Sequence, residues 1–209
     1  MKSIILDTET TGLPQKNAPL EMQPHIIEIG AIFIDDSGAI TRTISQLLNP
    51  GDKIYDDKIK TYTNRLPAII TKVTGIVDED LVGKPTFKEF LPILSTFFIG
   101  ADALIAHNAQ FDVKMLENEL RRSEVVGFEW PVQTICTMHE YKHLLSGKWP
   151  KLIQLYEKIM RKKLEQTHRA LDDCMAVREI LVEDKYFEKI AEPEELFPDP
   201  QNEPDGIDK

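Results

Sequence analysis

Apolar residues recur along this chain with two periods, and the switch between them marks out its elements. Ile4-Ile5-Leu6 is an unbroken apolar run closed by Thr10-Thr11-Gly12, which reads as a buried strand ending in a turn. Residues 25–35, carrying Ile26, Ile27, Ile29, Ile32, Phe33 and Ile34, read as a second strand, and 41–48 as a third. Asp35-Asp36-Ser37-Gly38 is a hairpin-type turn, so these strands are expected to open the sheet as an antiparallel meander. The period then lengthens. Phe87, Phe90, Leu91, Leu94, Phe97 and Phe98 fall at helical spacing behind Thr86, a suitable N-cap. Shorter helical turns are expected at 67–73 and 78–82. Residues 101–106 form a further strand that leads through His107-Asn108 into a helix at 110–122. A last strand at 132–136 runs into a helix reaching Leu145, and helices at 152–160 and 170–182 complete the body. Residues 51–65 are polar and lysine-rich, and no period assigns them.

Acids interrupt this pattern where charge does not belong. Strand side chains alternate faces, so Asp7 and Glu9 leave the first strand on the same side. On those two residues alone, a solvated strand end reads as well as a metal site. On helix 110–122, Asp112 lines up with Leu116 and Leu120, while Lys114, Asn118, Arg121 and Arg122 take the other side. On helix 170–182, Asp173 aligns with Val177 and Ile180, whereas Asp172 shares a solvent face with Ala176, Glu179 and Glu183. His168 stands in the connection just ahead of that helix. Carboxylates on core-facing positions need a cation or a paired base to offset their repulsion and lost hydration. An all-oxygen donor set selects a hard ion such as Mg²⁺ or Mn²⁺. Four carboxylates and one imidazole are what two-metal phosphodiester hydrolysis uses: the acids hold two ions ~4 Å apart and the His takes a proton from water.

Composition narrows the classes. A chain of 209 residues with 42% hydrophobic and 29% charged residues is expected to hold one soluble domain, residues 1–190. No apolar run approaches the ~20 residues of a membrane helix, and Met1-Lys2-Ser3 followed by Asp7 lacks the layout of a signal peptide. Cys136 and Cys174 are too few for a disulfide framework, which points to a reducing, cytoplasmic setting. The net charge of −10 is concentrated at the end: residues 192–209 carry seven acids against Lys209, leaving −4 on the rest. That acidic, Pro-rich segment, 191–209, is expected to be disordered. Two divalent ions would cancel a charge of the size left on the body. Net acidity therefore argues against tight, sequence-blind duplex binding without excluding a nucleic-acid substrate.

Three motifs in order carry a family resemblance: Asp7-Thr8-Glu9-Thr10-Thr11-Gly12-Leu13, His107-Asn108-Ala109-Gln110-Phe111-Asp112, and His168-Arg169-Ala170-Leu171-Asp172-Asp173. Smaller echoes are Ile26-Ile27-Glu28-Ile29-Gly30-Ala31 and Thr74-Gly75-Ile76. Over about residues 3–185 the chain resembles the DEDDh 3′→5′ exonucleases, the DnaQ-like proofreading superfamily that includes the polymerase III proofreading subunit. The resemblance implies an α/β, ribonuclease-H-like fold with a five-stranded mixed sheet flanked by helices. It implies two Mg²⁺ or Mn²⁺ ions on Asp7, Glu9, Asp112 and Asp173, with His168 as general base. Thr8, Thr10 and Gly12 would meet the substrate end, with the backbone at Thr10 on the 3′-hydroxyl. Leu13 would pack on the last base, and His107 and Asn108 would line the groove. The substrate implied is the 3′ end of single-stranded DNA, released as nucleoside 5′-monophosphates. The rivals are an exoribonuclease acting on short RNA and a non-catalytic domain that keeps the groove for binding.

Two further patterns stand apart from these motifs. Cys136, His139 and His143 offer zinc-type donors, but no fourth ligand is in sight and Cys136 reads as a buried strand residue, so zinc is not expected. Glu194-Glu195-Leu196-Phe197 resembles the Leu-Phe peptides that dock on sliding clamps but lacks their glutamine. A separate DNA polymerase or a sliding clamp stands as a possible partner.

Overall fold

The computed structural model describes residues 1–165 and 167–191. The acidic tail expected from 191 onward, with its Leu-Phe motif, lies outside the described residues apart from Ala191. Strands β1 (Ser3–Thr10), β2 (Ile26–Ile34) and β3 (Ile40–Leu47) form the expected antiparallel meander. A two-stranded hairpin follows, β4 (Ile54–Asp56) and β5 (Thr61–Thr63). It accounts for much of the polar stretch that sequence period could not assign, because Ile54 is its one fully buried residue. Helices α1 (Ala68–Thr74), α2 (Asp78–Leu81) and α3 (Phe87–Phe98) come next. Thr86 caps α3 as expected, accepting from the Glu89 N–H while the Glu89 carboxylate accepts from the Thr86 N–H.

Strand β6 (Ala103–Ala106) feeds α4 (Ala109–Arg122), and β7 (Gln133–Cys136) feeds α5 (Thr137–Glu140). The helix expected to run to Leu145 stops there and continues as a separate 3-10 turn, Lys142–Leu145. Helices α6 (Leu152–Met160), α7 (Ala170–Glu183) and α8 (Tyr186–Ala191) end the described chain. The main sheet has the order β3-β2-β1-β6-β7, with β6 parallel to β1 and β7 parallel to β6, so it is mixed and five-stranded. No described helix is long and apolar enough to cross a membrane.

Two cores lie on the two faces of the sheet. Ile4, Leu6, Ile29 and Phe33 pack with α3 and α4 through Phe90, Leu94, Met115 and Leu116. Ile5, Ile32, Ile34 and Ile105 pack with α6 and α7 through Leu155, Cys174, Val177 and Ile180. Alternation along β1 thus sends Ile5, Asp7 and Glu9 toward the α7 face and Leu6, Thr8 and Thr10 toward α4. Charge is placed at the end of β1 because the strand outruns its apolar segment while the sheet continues beside it.

Helix α7 sits directly on the backbone of β2. A methyl group at Gly30 would stand 2.3 Å from the Ala170 carbonyl carbon and the Leu171 nitrogen, closer than atoms can approach. Gly30→Ala is therefore expected to push α7 off the sheet and cost about 1–3 kcal/mol, the range of core overpacking. Urea unfolding of the variant against wild type checks it; equal midpoints would show that the two backbones are not in contact.

Candidate active site

At the end of β1 the paired strand β2 runs alongside with Glu28 opposite Glu9, and the register slips between Glu9 and Thr10. Such a bulge re-aims side chains at a strand end. Asp7 and Glu9 are half-buried. Asp173 reaches them from the first turn of α7 and is only 8% exposed. One carboxylate oxygen from each of Asp7, Glu9 and Asp173 lies within 4.8 Å of the others. Asp112, buried in the first turn of α4, stands outside that triple but close by: its carboxylate accepts the Thr8 hydroxyl at 2.8 Å, one residue from Asp7.

The electrostatics of this gathering are unfavourable without a counter-charge. Burial, then the charges of Asp112, Asp173 and Glu9, hold the Asp7 carboxyl well above the ordinary range. Burial and then Asp173 push Glu9 up to about 8, partly countered by the Arg169 guanidinium. Burial raises Asp112 to about 7 against the downward pull of the Thr8 hydrogen bond. Oxygen donors from two distant segments, crowded within the span of one ion's coordination shell, suit a hard divalent cation. Asp7, Glu9 and Asp173 could hold it directly, and Asp112 adds negative charge from behind.

The apparatus that brings Asp173 here and anchors the segment following His168 centres on Glu28, whose role composition did not disclose. Glu28 is 1% exposed in a strand otherwise free of charge. Its carboxylate accepts from Arg169 Nε at 3.0 and 3.1 Å, from Arg169 Nη2 at 2.7 Å, and from the Ala170 N–H at 3.2 Å. It thus neutralises the residue before α7 and satisfies an N–H that the helix leaves open. The signal available in the sequence was this lone acid inside a nine-residue apolar strand. The Cys174 thiol donates to the Gly30 carbonyl at 3.2 Å on the next turn, and burial pushes that thiol up. His168 itself is half-buried, with a left-handed φ of 52°. It is flanked by two ties: Thr167 donates to the Asp172 carboxylate at 2.5 Å, and Arg169 holds Glu28.

The remaining expected contacts divide. Thr8 and Thr10 are buried, and Thr10 donates to the Gly12 carbonyl at 2.7 Å, shaping the turn that presents Leu13, 72% exposed. Asn108 is exposed and starts α4 with a φ of 71°, a conformation Asn tolerates. The His107 ring is committed inside the protein: Nδ1 pairs with the Thr137 hydroxyl at 3.0 Å and Nε2 with the Pro150 carbonyl at 2.9 Å. Burial lowers its pKa, so it is neutral at pH 7.

Three sequence readings need correction. Asn118 and Arg122 do not face solvent. Asn118 is 1% exposed, and Arg122 donates to the carbonyls of Leu20, Gln23 and Pro24 and to buried Glu119, pinning the loop after β1 to α4. Ala176, read as solvent-facing beside Asp172, is buried in the α7 core. Cys136 is half-buried rather than a core residue, since β7 is an edge strand.

The exonuclease family model matches residues 4–181. The chain belongs to the exonuclease family. It spans no more than a quarter of the length of several curated relatives that it matches. The DNA polymerase III subunit epsilon of Rickettsia prowazekii is 31% identical over 94% of this chain and 81% of that protein. A PolC-type DNA polymerase III of Caldanaerobacter subterraneus subsp. tengcongensis is 32% identical over 90% of this chain, which spans only 12% of that protein. Among solved structures, the nuclease domain of 3′hExo, a DEDDh family member bound to rAMP, superposes with a TM-score of 0.66 at 19% identity, covering 88% of this exonuclease and 92% of that chain.

The raised carboxyls set a pH dependence with a definite sign. Between the ordinary carboxylate value near ~4 and about 8, the folded chain binds more protons than the unfolded one. The contribution of these groups to the stability of the metal-free protein is therefore greatest at acid pH and falls as pH rises through that window. With chelator present, the melting temperature should drop from pH 5 to pH 8, and Mg²⁺ should restore more at pH 8 than at pH 5. A Mg²⁺ effect equal at both pH values would count against a cation among these groups.

Proposed function

We propose that this exonuclease removes nucleoside 5′-monophosphates from the 3′ end of single-stranded DNA, using two Mg²⁺ or Mn²⁺ ions. The observation that carries the reading is the meeting of Asp7, Glu9 and Asp173, with Asp112 behind them, at one sheet end. Ions held there would supply positive charge to the phosphodiester and return the raised carboxyls to their charged forms. The turn from Thr10 to Leu13 receives the 3′-terminal nucleotide, with the exposed Leu13 side chain against its base. His168 takes the proton from the attacking water, and Glu28 holds the segment on which His168 sits. DNA is favoured because relatives similar over most of the chain carry the name of a DNA polymerase subunit. The same likeness supports work beside a separate polymerase. Free Cys136 and Cys174 suit a reducing compartment such as the cytoplasm.

Short RNA is the second reading, favoured by the rAMP bound to the 3′hExo nuclease domain. The chemistry is shared, and contacts to the 2′-hydroxyl would decide. A binding-only domain is disfavoured, since a chain relieved of catalysis gains nothing from burying this many mutually repelling acids.

Asp7→Ala is expected to lower turnover of a 5′-labelled strand by about three orders of magnitude or more while keeping the circular dichroism of the wild type. Wild-type turnover in that variant would remove the site. His168→Ala should lose about 10²–10⁴-fold in kcat, the range for a general base, yet keep the thermal shift given by Mg²⁺. Matched DNA and RNA strands of one sequence are expected to show the higher kcat/KM on DNA; faster RNA turnover would replace the substrate assignment.

A further inference from the structure

The loop that enters α6 presents a surface which the catalytic reading leaves unused. Trp149 is 51% exposed, although an indole of that size is normally spent on a core or an interface. Its ring lies 4.4 Å from the His139 ring at an angle of 37°, and Lys142 Nζ stands 4.1 Å from its centre. Between Tyr141 and Lys151 the chain carries Lys142, Lys148 and Lys151 and no acid, in a protein of net charge −10; Glu140 is the nearest acid in sequence. Lys148 and Lys151 are exposed.

This surface is tied to the catalytic end of the sheet. The Pro150 carbonyl, next to Trp149, pairs with His107 Nε2 at 2.9 Å. His107 follows directly on β6, which pairs in parallel with β1, so it stands at the same end of the sheet as Asp7 and Glu9. The neutral His107 is therefore a strut between the metal-binding strand end and the Trp149 loop. An exposed aromatic ring with lysines around it is the combination that holds single-stranded nucleic acid, a base on the ring and phosphates on the ammonium groups.

We infer that Trp149, with Lys142 and Lys148, is a stacking platform for a base of the single strand upstream of the cleaved nucleotide. The inference rests on the exonuclease reading of the site. On binding, the base takes the place of Lys142 on the indole, since stacking is worth more than an exposed cation–π contact, and the freed ammonium pairs with the backbone phosphate. The platform acts on strands that extend past the terminal nucleotide and contributes nothing to a substrate that ends there.

The test uses two substrates: an oligo-dT strand and the p-nitrophenyl ester of thymidine 5′-monophosphate, which has no upstream base. Trp149→Ala should raise KM for the strand about tenfold, the scale of losing one stacked base. Trp149→Phe should stay near wild type, and both variants should hydrolyse the ester at the wild-type rate. An unchanged KM for the strand in Trp149→Ala overturns the platform while leaving the exonuclease reading in place. An equal loss on strand and ester overturns it too, since the residue would then be structural. If the wild-type protein cleaves neither substrate, the exonuclease reading fails, and fluorescence decides the platform. In a Trp130→Phe, Asp7→Ala background Trp149 is the sole indole, and quenching by oligo-dT supports the platform where its absence rejects it.

Discussion

The site depends on one seating contact, that of α7 on the middle of β2. Gly30 removes the side chain that would hold the helix away, and Glu28 receives both the Arg169 guanidinium and the first N–H of the helix. Neither residue supplies an atom to the carboxylate triple. Together they fix where the helix begins, and with it where Asp173 and His168 stand relative to Asp7 and Glu9. Removing the Glu28 carboxylate would leave an open helix N–H and an unpaired guanidinium beside the acids. Losing the Gly30 clearance would move the whole helix.

The acids themselves work against the fold. Asp7, Glu9 and Asp112 are all raised by burial, and the Asp7 and Glu9 carboxyls are raised further by their neighbours' charges, so the protein stores repulsion at the end of β1. That arrangement persists because the two apolar cores on either face of the sheet hold its elements in place whatever the acids prefer. A cation held there would relieve the repulsion, so the same crowding that weakens the metal-free fold would favour binding of a hard divalent ion.

Around this centre, polar side chains that look like surface groups act as braces. Arg122 ties the loop after β1 to α4 through three carbonyls and Glu119. His107 ties the end of β6 to Thr137 and Pro150. Loops carry backbone groups that no ladder satisfies, and a long donor reaching several carbonyls orders them at the cost of one desolvated charge. The result is that the loop after β1 is tied to α4 and the loop bearing Trp149 to the end of β6.

The sequence by itself determined the five strands of the main sheet, the principal helices on its two faces, and the acids at Asp7, Glu9, Asp112 and Asp173 as groups out of place; the hairpin within 51–65 and α8 escaped it because elements this short carry no clear period. It could do so because period reports burial: an acid in register with core residues is visible wherever the element is regular. Asp173 was separable from Asp172 on that ground, and Asp172 is indeed exposed while Asp173 is buried. Only the tertiary structure decided which acids meet, since the Asp7, Glu9 and Asp173 triple joins segments more than 160 residues apart in the chain. It alone assigned Glu28 and Gly30 their seating role and turned Asn118 and Arg122 inward. Those outcomes depend on what lies across the gap from a side chain, and periodicity along one element carries no information about its neighbour.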